Sequence, residues 1–221
     1  MDLELLVQHF SHITLVDIDG ATLRDAVKAR GFAENKQITV VGDADLTGVN
    51  ALLTKCKSDF SAENIEQVKT ASKGFKIAEL KQYDVVASTC LLSQLQNHVF
   101  ISVGDRDQAT FAELLAMTRQ RHLELLLELT VAGGKAVLIT DLTSSEAIPE
   151  LKTTGLEIPR SIWDKIYNGN HFHGMSPISF NNDIKHLRSE GQIAEFQMAP
   201  PWLWNASVRL YACIGYCLSK A

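Results

Sequence analysis

An α/β fold with a mostly parallel sheet and a C-terminal antiparallel hairpin is what this sequence predicts, on three observations. Four short runs rich in β-branched residues alternate with helical segments. Each run ends in a polar residue, and the last two apolar runs are joined by a short connection. Continuous β-branched runs suit parallel strands covered on both faces. Polar residues at their carboxyl ends lie where open α/β sheets bind ligands. A chain of 221 residues suits one large domain, and 46% apolar with 21% charged residues excludes a disordered or fibrous chain.

The four strands are read as Ile13-Thr14-Leu15-Val16 ending in Asp17, Ile38-Thr39-Val40-Val41 ending in Gly42-Asp43, Tyr83-Asp84-Val85-Val86-Ala87 ending in Ser88, and Lys135-Ala136-Val137-Leu138-Ile139 ending in Thr140-Asp141. Residues 1–10 read as a helix, and so do 22–30, with Gly31 as the C-terminal cap. The strongest helix covers 108–129, where Thr110 and Glu113 fit a capping box. Phe111, Leu114, Leu115, Thr118, His122, Leu125, Leu126 and Leu129 make its apolar stripe. On that stripe His122 reads as a packed core histidine, and Gly133-Gly134 turns the chain into the next strand.

Between 46 and 82 the composition turns polar and two short helices are expected, at 49–56 and 62–72. The connection is longer than one crossover helix needs, so it reads as an insertion. After Asp141 a loop-rich stretch, 142–180, carries Pro149, Gly155, Pro159, Gly169, Gly174 and Pro177, and a helix follows at 181–189. The last two strands, 194–198 and 208–218, are joined by Ala199-Pro200-Pro201-Trp202-Leu203-Trp204-Asn205 and read as an antiparallel pair at one sheet edge. Trp202 and Trp204 are expected to pack against that edge.

The formal charge of −5 argues against a nucleic-acid backbone as the main partner. The longest apolar run, 210–218, is too short to span a bilayer, and the opening Met1-Asp2-Leu3-Glu4 is no secretory signal. Cys56, Cys90, Cys213 and Cys217 form no CxxC pair, so free thiols in a reducing cytoplasm are expected. Cys213 and Cys217, four apart on a strand, share a face and read as small core hydrophobes.

A carboxylate at the tip of a buried strand needs a reason, because strands usually avoid Asp. Asp17 could accept both hydroxyls of a ribose diol, and Asp43 an exocyclic amine, with Ile18 and Ala44 against the base. Each Asp alone could equally cap a turn; two in consecutive βα turns favour a nucleoside.

Four motifs then occur in order: Val16-Asp17-Ile18-Asp19; Val41-Gly42-Asp43-Ala44; Tyr83-Asp84-Val85-Val86-Ala87-Ser88 with Leu91-Leu92; and Ala132-Gly133-Gly134-Lys135-Ala136-Val137-Leu138. In these the chain resembles the class I, Rossmann-like S-adenosylmethionine-dependent methyltransferases over its whole length, the final hairpin included. The resemblance implies S-adenosyl-L-methionine as cofactor. Asp17 would hold the ribose hydroxyls and Ile18 would pack on adenine. Asp43 would bind the adenine amine with the Ala44 N–H close to the ring, and Ser88 and Thr89 would border the methionine moiety. Asp19 takes no role from the resemblance and could be a helix cap.

One departure from the family is large. In such folds a Gly-rich turn follows the first strand, and the ribose acid comes about 20 residues later. Only 16 residues precede Asp17, and no GxGxG occurs in the chain. The expected organisation is a single methyltransferase-like domain, 1–221, N-terminally truncated, with the first strand and its Gly-rich turn missing. It would carry an insertion at 46–82 and a substrate-side region at 142–180.

The methyl donor brings its own electrophile, so the protein has to align the attack and supply a base where one is needed. Tyr167, His171 and His173 are the candidates, from the loop-rich region. His171-Phe172-His173 lacks a third ligand, so no metal site is expected. Two functional readings stand side by side: methyl transfer to a small-molecule acceptor, and a degenerate methyltransferase fold that binds without catalysis. A nicotinamide-dependent oxidoreductase ranks below both, since Asp43 and the final hairpin favour the methyl donor. Unpaired strand edges recruit partners, which makes a homodimer an expectation.

Overall fold

The computed structural model describes every residue except 1, 74, 78, 79, 105 and 156. Its elements form three packed groups. The first is α1 (Leu3–His9), β1 (Ile13–Val16), α2 (Gly20–Ala29) and β2 (Ile38–Val41). Asp2 caps α1 by accepting from the Leu5 N–H, and Asp19 caps α2 by accepting from the Thr22 N–H. Gly31, with φ 80°, takes the left-handed position after α2, which lets the Phe32 N–H reach the Val27 carbonyl at 3.1 Å. β1 and β2 run parallel in register Ile13↔Ile38 to Val16↔Val41. Leu3, Ile13, Leu15 and Val27 form a small core of their own.

The second group is helical: α3 (Asn50–Ser58), α4 (Ala62–Ser72), α5 (Leu92–Val103) and α6 (Gln108–Glu128). Leu53, Cys56, Val68, Val99, Phe111 and Leu114 interdigitate at its centre. The two helices expected between 46 and 82 are therefore present, and α5 is an addition to the sequence reading. The cap of α6 is Asp107 in place of Thr110: its carboxylate accepts from the Ala109 N–H at 3.2 Å and also from the Thr110 hydroxyl. Glu113 turns away to pair with Lys69 at 2.7 Å.

The third group is a four-stranded sheet of β3 (Tyr83–Thr89), β4 (Thr130–Ser144), β5 (Ile193–Asn205) and β6 (Leu210–Lys220), in the order β3-β4-β6-β5. It packs on α7 (Arg160–Asn168) and α8 (Pro177–Ser189) through Leu138, Ile166, Phe180, Ile184, Ile214 and Tyr216. A short 3-10 turn, Pro149–Lys152, and α7 lie within the stretch read as loop-rich.

The expectation of a mostly parallel sheet is corrected here. β3 and β4 are parallel, but β6 runs antiparallel to both β4 and β5, so this sheet is mixed. Composition explains the order. β6 reads LYACIGYCLSK and is buried along most of its length, so it takes the interior position. β5 carries Pro200 and Pro201, which cannot donate to a ladder, and lies at the edge with its register shift between Ala199 and Trp202. The segment 199–205, read as a connection, is thus part of β5. Similarly, Gly133-Gly134 lies inside β4, where the register with β3 shifts between Tyr83 and Val85. A Cβ on Gly134 would meet the Asp84 carbonyl at 2.7 Å.

Among the described residues no ladder joins the two sheets. β1 pairs only with β2, and β3 only with β4, so each keeps one unpaired edge.

Candidate functional site

The carboxyl ends of β1 and β2 form the first cluster. The Asp17 N–H donates to the Val41 carbonyl at 3.2 Å, and the Ala44 N–H donates to the Asp17 carbonyl at 3.2 Å. These bonds lock the two βα turns together. They can approach because Gly20 and Gly42 lack side chains: a Cβ on either would sit 2.5 Å from the other's Cα. Asp43 holds a left-handed backbone, φ 58°, an uncommon state that Asp tolerates better than most residues.

The structure therefore brings Asp17, Ile18, Asp43 and Ala44 to one place. The Asp17 and Asp43 side chains are exposed, Ile18 is 53% exposed, and Ala44 is buried. One Asp17 oxygen accepts from the Asp19 N–H at 2.9 Å, while the other makes no hydrogen bond among the described residues. Asp19 is settled as the cap of α2, and the Thr22 N–H and hydroxyl that bond it hold its carboxyl below the ordinary range.

A second cluster gathers at the carboxyl ends of β3 and β4. Thr89 is exposed, whereas the Ser88 hydroxyl faces inward and lies 2.8 Å from His122 Nε2. His122 is 3% exposed, and burial pushes its pKa down to about 4, so it stays neutral at physiological pH. It is a core histidine, as its place on the apolar stripe of α6 implied. No hydrogen bond among the described residues joins Ser88 or Thr89 to the Asp17–Asp43 cluster.

Sequence reasoning missed a buried acid here. Asp141, 6% exposed, accepts from the Ser93 hydroxyl at 2.6 Å at the start of α5, and burial raises its carboxyl pKa. Asp141 also pairs in register with Cys213 of β6, and the Cys90 N–H donates to the Ile139 carbonyl at 2.8 Å. The acid at the end of β4 was visible in the sequence. Its partners were not, because they depend on the sheet order.

The loop candidates are not convergent. His171 Nε2 lies 3.2 Å from the Lys165 carbonyl at the end of α7. His173 stacks on Phe100 at 4.3 Å and meets the edge of Phe111 at 5.4 Å. Tyr167 lies on α7 with its ring 6.0 Å from Trp163. Among the described residues no group of three or more His, Cys, Asp and Glu is placed to hold a metal ion. Trp202 packs over Gly215, and Trp204 lies 5.5 Å from Tyr211, so both tryptophans serve the sheet edge. Among the described residues no helix is long and apolar enough to cross a membrane.

No family model matches the chain, and no curated protein shows similarity to it. Among solved structures it is similar to the N-methyltransferase NodS from Bradyrhizobium japonicum WM9 at 10% identity, over 99% of this chain and 78% of that one, with a TM-score of 0.46. It is similar at 12% identity to a structure described as the conversion of a disulfide bond into a thioacetal group during echinomycin biosynthesis, over 99% of this chain and 70% of that one, with a TM-score of 0.46. A third is CrArsM, an arsenic (III) S-adenosylmethionine methyltransferase from Chlamydomonas reinhardtii, at 15% identity over 95% of this chain and 56% of that one, with a TM-score of 0.39. Methyltransferases thus stand among the solved structures this chain is similar to, at low identity over nearly its whole length.

Proposed function

We propose that this chain binds the nucleoside part of S-adenosyl-L-methionine at the carboxyl ends of β1 and β2 and serves methyl transfer to a small-molecule acceptor. The observation that carries the reading is the convergence of Asp17, Ile18, Asp43 and Ala44 through the Ala44 to Asp17 backbone bond. The exposed Asp17 carboxylate offers acceptors to a ribose diol, the exposed Ile18 a face for adenine, and Asp43 an acceptor for the exocyclic amine. These residues fit the nucleoside half of the cofactor.

When bound, that cofactor supplies its own electrophilic methyl group. The chain's residues account for holding the nucleoside. The methionine end is left to Thr89, since the Ser88 hydroxyl is engaged with His122. In this reading 1–221 is one methyltransferase-like domain, with 46–82 as an insertion and 142–180 on the acceptor side. Tyr167 is the acceptor-side candidate whose hydroxyl makes no hydrogen bond among the described residues.

A second reading, a methyltransferase-like fold that binds without catalysis, is favoured by one observation. β1 and β3 each keep an unpaired edge where an uninterrupted sheet would place a ladder. Calorimetric titration with S-adenosylhomocysteine tests the shared premise, and Asp17→Ala should weaken binding by about tenfold, the loss of one charge-assisted hydrogen-bonding group. Absence of heat with the wild-type chain sinks both readings. Binding without methyl-donor consumption in the presence of varied acceptors selects the second.

A further inference from the structure

We infer that the sheet face opposite α7 and α8 carries, at the carboxyl end of β4, a binding site for an organic amine in its cationic form, with Asp141 as the anion and the rings of Tyr211 and Trp204 as its wall. Strand alternation assembles it. Ala212, Ile214, Tyr216 and Leu218 point into the core that α7 and α8 cover, so Tyr211, Cys213 and Gly215 lie on the opposite face. The ladders set Asp141 and Trp202 level with Cys213, and Trp204 level with Tyr211. On β4 the same face runs from Ile139, the register partner of Thr89, to Asp141. Asp141 therefore stands between Thr89 on one side and the aromatic residues on the other.

Charge selects the ligand. Asp141 is 6% exposed, and the side chain that bonds it is neutral, the Ser93 hydroxyl at 2.6 Å. Among the described residues no cationic side chain pairs with it. Arg209 is bound to Glu146 at 2.7 Å, and Lys135, near the other end of β4, to Ser219 and Glu195. A buried carboxylate is costly unless a cation compensates it, and burial raises its pKa. Beside it the Trp204 and Tyr211 ring centres lie 5.5 Å apart, and Phe172 meets Tyr211 at 6.4 Å. Trp204 packs on the sheet edge yet stays 44% exposed, and Tyr211 is half-buried, so ring surface is left for a ligand. Aromatic faces attract an alkylammonium through the ring quadrupole, which adds to the pull of the carboxylate.

The amine's role as methyl acceptor rests on the methyl-transfer reading above. Thr89, left to the methionine end in that reading, shares its sheet face with Asp141, so the acceptor nitrogen is held on the side where the methyl group arrives. The Asp141 carboxylate, fixed by the Ser93 hydroxyl, takes one proton from the bound ammonium and frees the nitrogen lone pair. That pair forms the N–C bond to the methyl group as the donor's S–C bond breaks, leaving a methylated ammonium and a neutral thioether. The proton on Asp141 then passes to solvent. A carboxyl whose pKa burial has raised holds that proton more readily than an ordinary one.

The test uses the full chain without cofactor and two probes of matched shape: phenethylamine, a cation at pH 7, and the neutral phenethyl alcohol. Tryptophan fluorescence follows each titration. Phenethylamine should saturate with a Kd on the order of 1 mM and bind about tenfold tighter than the alcohol. Asp141→Asn, which keeps an acceptor for Ser93, should bring the amine down to the alcohol's affinity and leave the alcohol unchanged. Trp204→Leu, read on the remaining Trp202, should weaken the amine. Equal affinities of the two probes for the wild type, no saturable response to the amine, or an Asp141→Asn chain that binds the amine as the wild type does would each overturn the proposal. The wild-type comparison decides charge selection even if a variant fails to fold. Calorimetry with S-adenosylhomocysteine on the same sample separates the two readings. Heat without amine binding removes the amine site alone, whereas amine binding without heat keeps the site and removes the methyl-transfer reading.

Discussion

Gly20 and Gly42 touch backbone to backbone, so that a Cβ on either would stand 2.5 Å from the Cα of the other. The contact belongs to the turns that carry Asp17 and Asp43, and it sets how close those carboxylates come. Gly42→Ala should push the turns apart, destabilising the chain by about 1–3 kcal/mol, the usual range for overpacking. It should also weaken S-adenosylhomocysteine binding more than Gly155→Ala, a position where an added Cβ meets nothing within 4 Å. Urea unfolding and calorimetry on the two variants check the pair of outcomes.

His122 makes stability depend on pH in a defined direction. Its folded pKa, about 4, lies below the ordinary 6.5, because burial disfavours the imidazolium. Above 6.5 both folded and unfolded forms are neutral. Between 6.5 and 4 the unfolded chain takes a proton that the folded chain refuses, so stability falls as pH falls through that window. The full effect is about 3 kcal/mol, from the free-energy equivalent of one pKa unit. Asp141, raised by burial, acts in the opposite sense, so the comparison is made between variants. His122→Gln should flatten the dependence while retaining a partner for the Ser88 hydroxyl. Urea midpoints across that range that fall as steeply in the variant as in the wild type would contradict this.

Much of this was legible locally, and the rest was not, for physical reasons. β1 and β2 lie where their β-branched runs placed them, since a continuous apolar run needs no distant information. β4 and β5 run longer than read because Gly133-Gly134 and Pro200-Pro201 interrupt the residue pattern without ending the ladders. α5 escaped notice because Val99, Ile101 and Val103 give it a strand-like composition, and tertiary packing overrides that preference. Asp17 and Asp43 could be found as neighbours because consecutive βα turns meet. The Ser93–Asp141 bond could not, because it exists only once β3 pairs with β4 and sets the start of α5 beside Asp141.

Arg119 and Asp183 form a buried ion pair, with side chains 8% and 11% exposed. The guanidinium also donates to the Gly174 carbonyl at 3.0 Å and lies over the Phe180 ring. It ties α6 to α8 and to the segment carrying His173. Asp183→Ala would leave that cation buried without its partner, at a cost of about 3–5 kcal/mol. Asp164→Ala, which breaks the exposed Arg160–Asp164 pair on α7, should leave the unfolding midpoint unchanged within error. Equal midpoints for the two variants would show that the Arg119 pair contributes nothing specific.

β3 presents the most consequential unpaired edge. Its only ladder partner among the described residues is β4, yet Val85 on it is 40% exposed and Asp84, Ala87 and Thr89 are exposed as well. A parallel strand normally lies in a sheet interior with both edges paired, and an apolar free edge offers N–H and C=O groups to any extended chain. Two outcomes follow. Amides of 83–89 should exchange with solvent faster than those of β6, which is laddered on both sides. The wild-type chain should also self-associate reversibly as concentration rises, and Val85→Lys should suppress that association by setting a charge at the edge without disturbing the β4 ladder. Hydrogen exchange read by mass spectrometry and sedimentation velocity over a concentration series measure these separately. Slow exchange across 83–89 in a monomeric sample would mean that the edge is already covered, and a monomer at every concentration would mean that no second copy pairs with it.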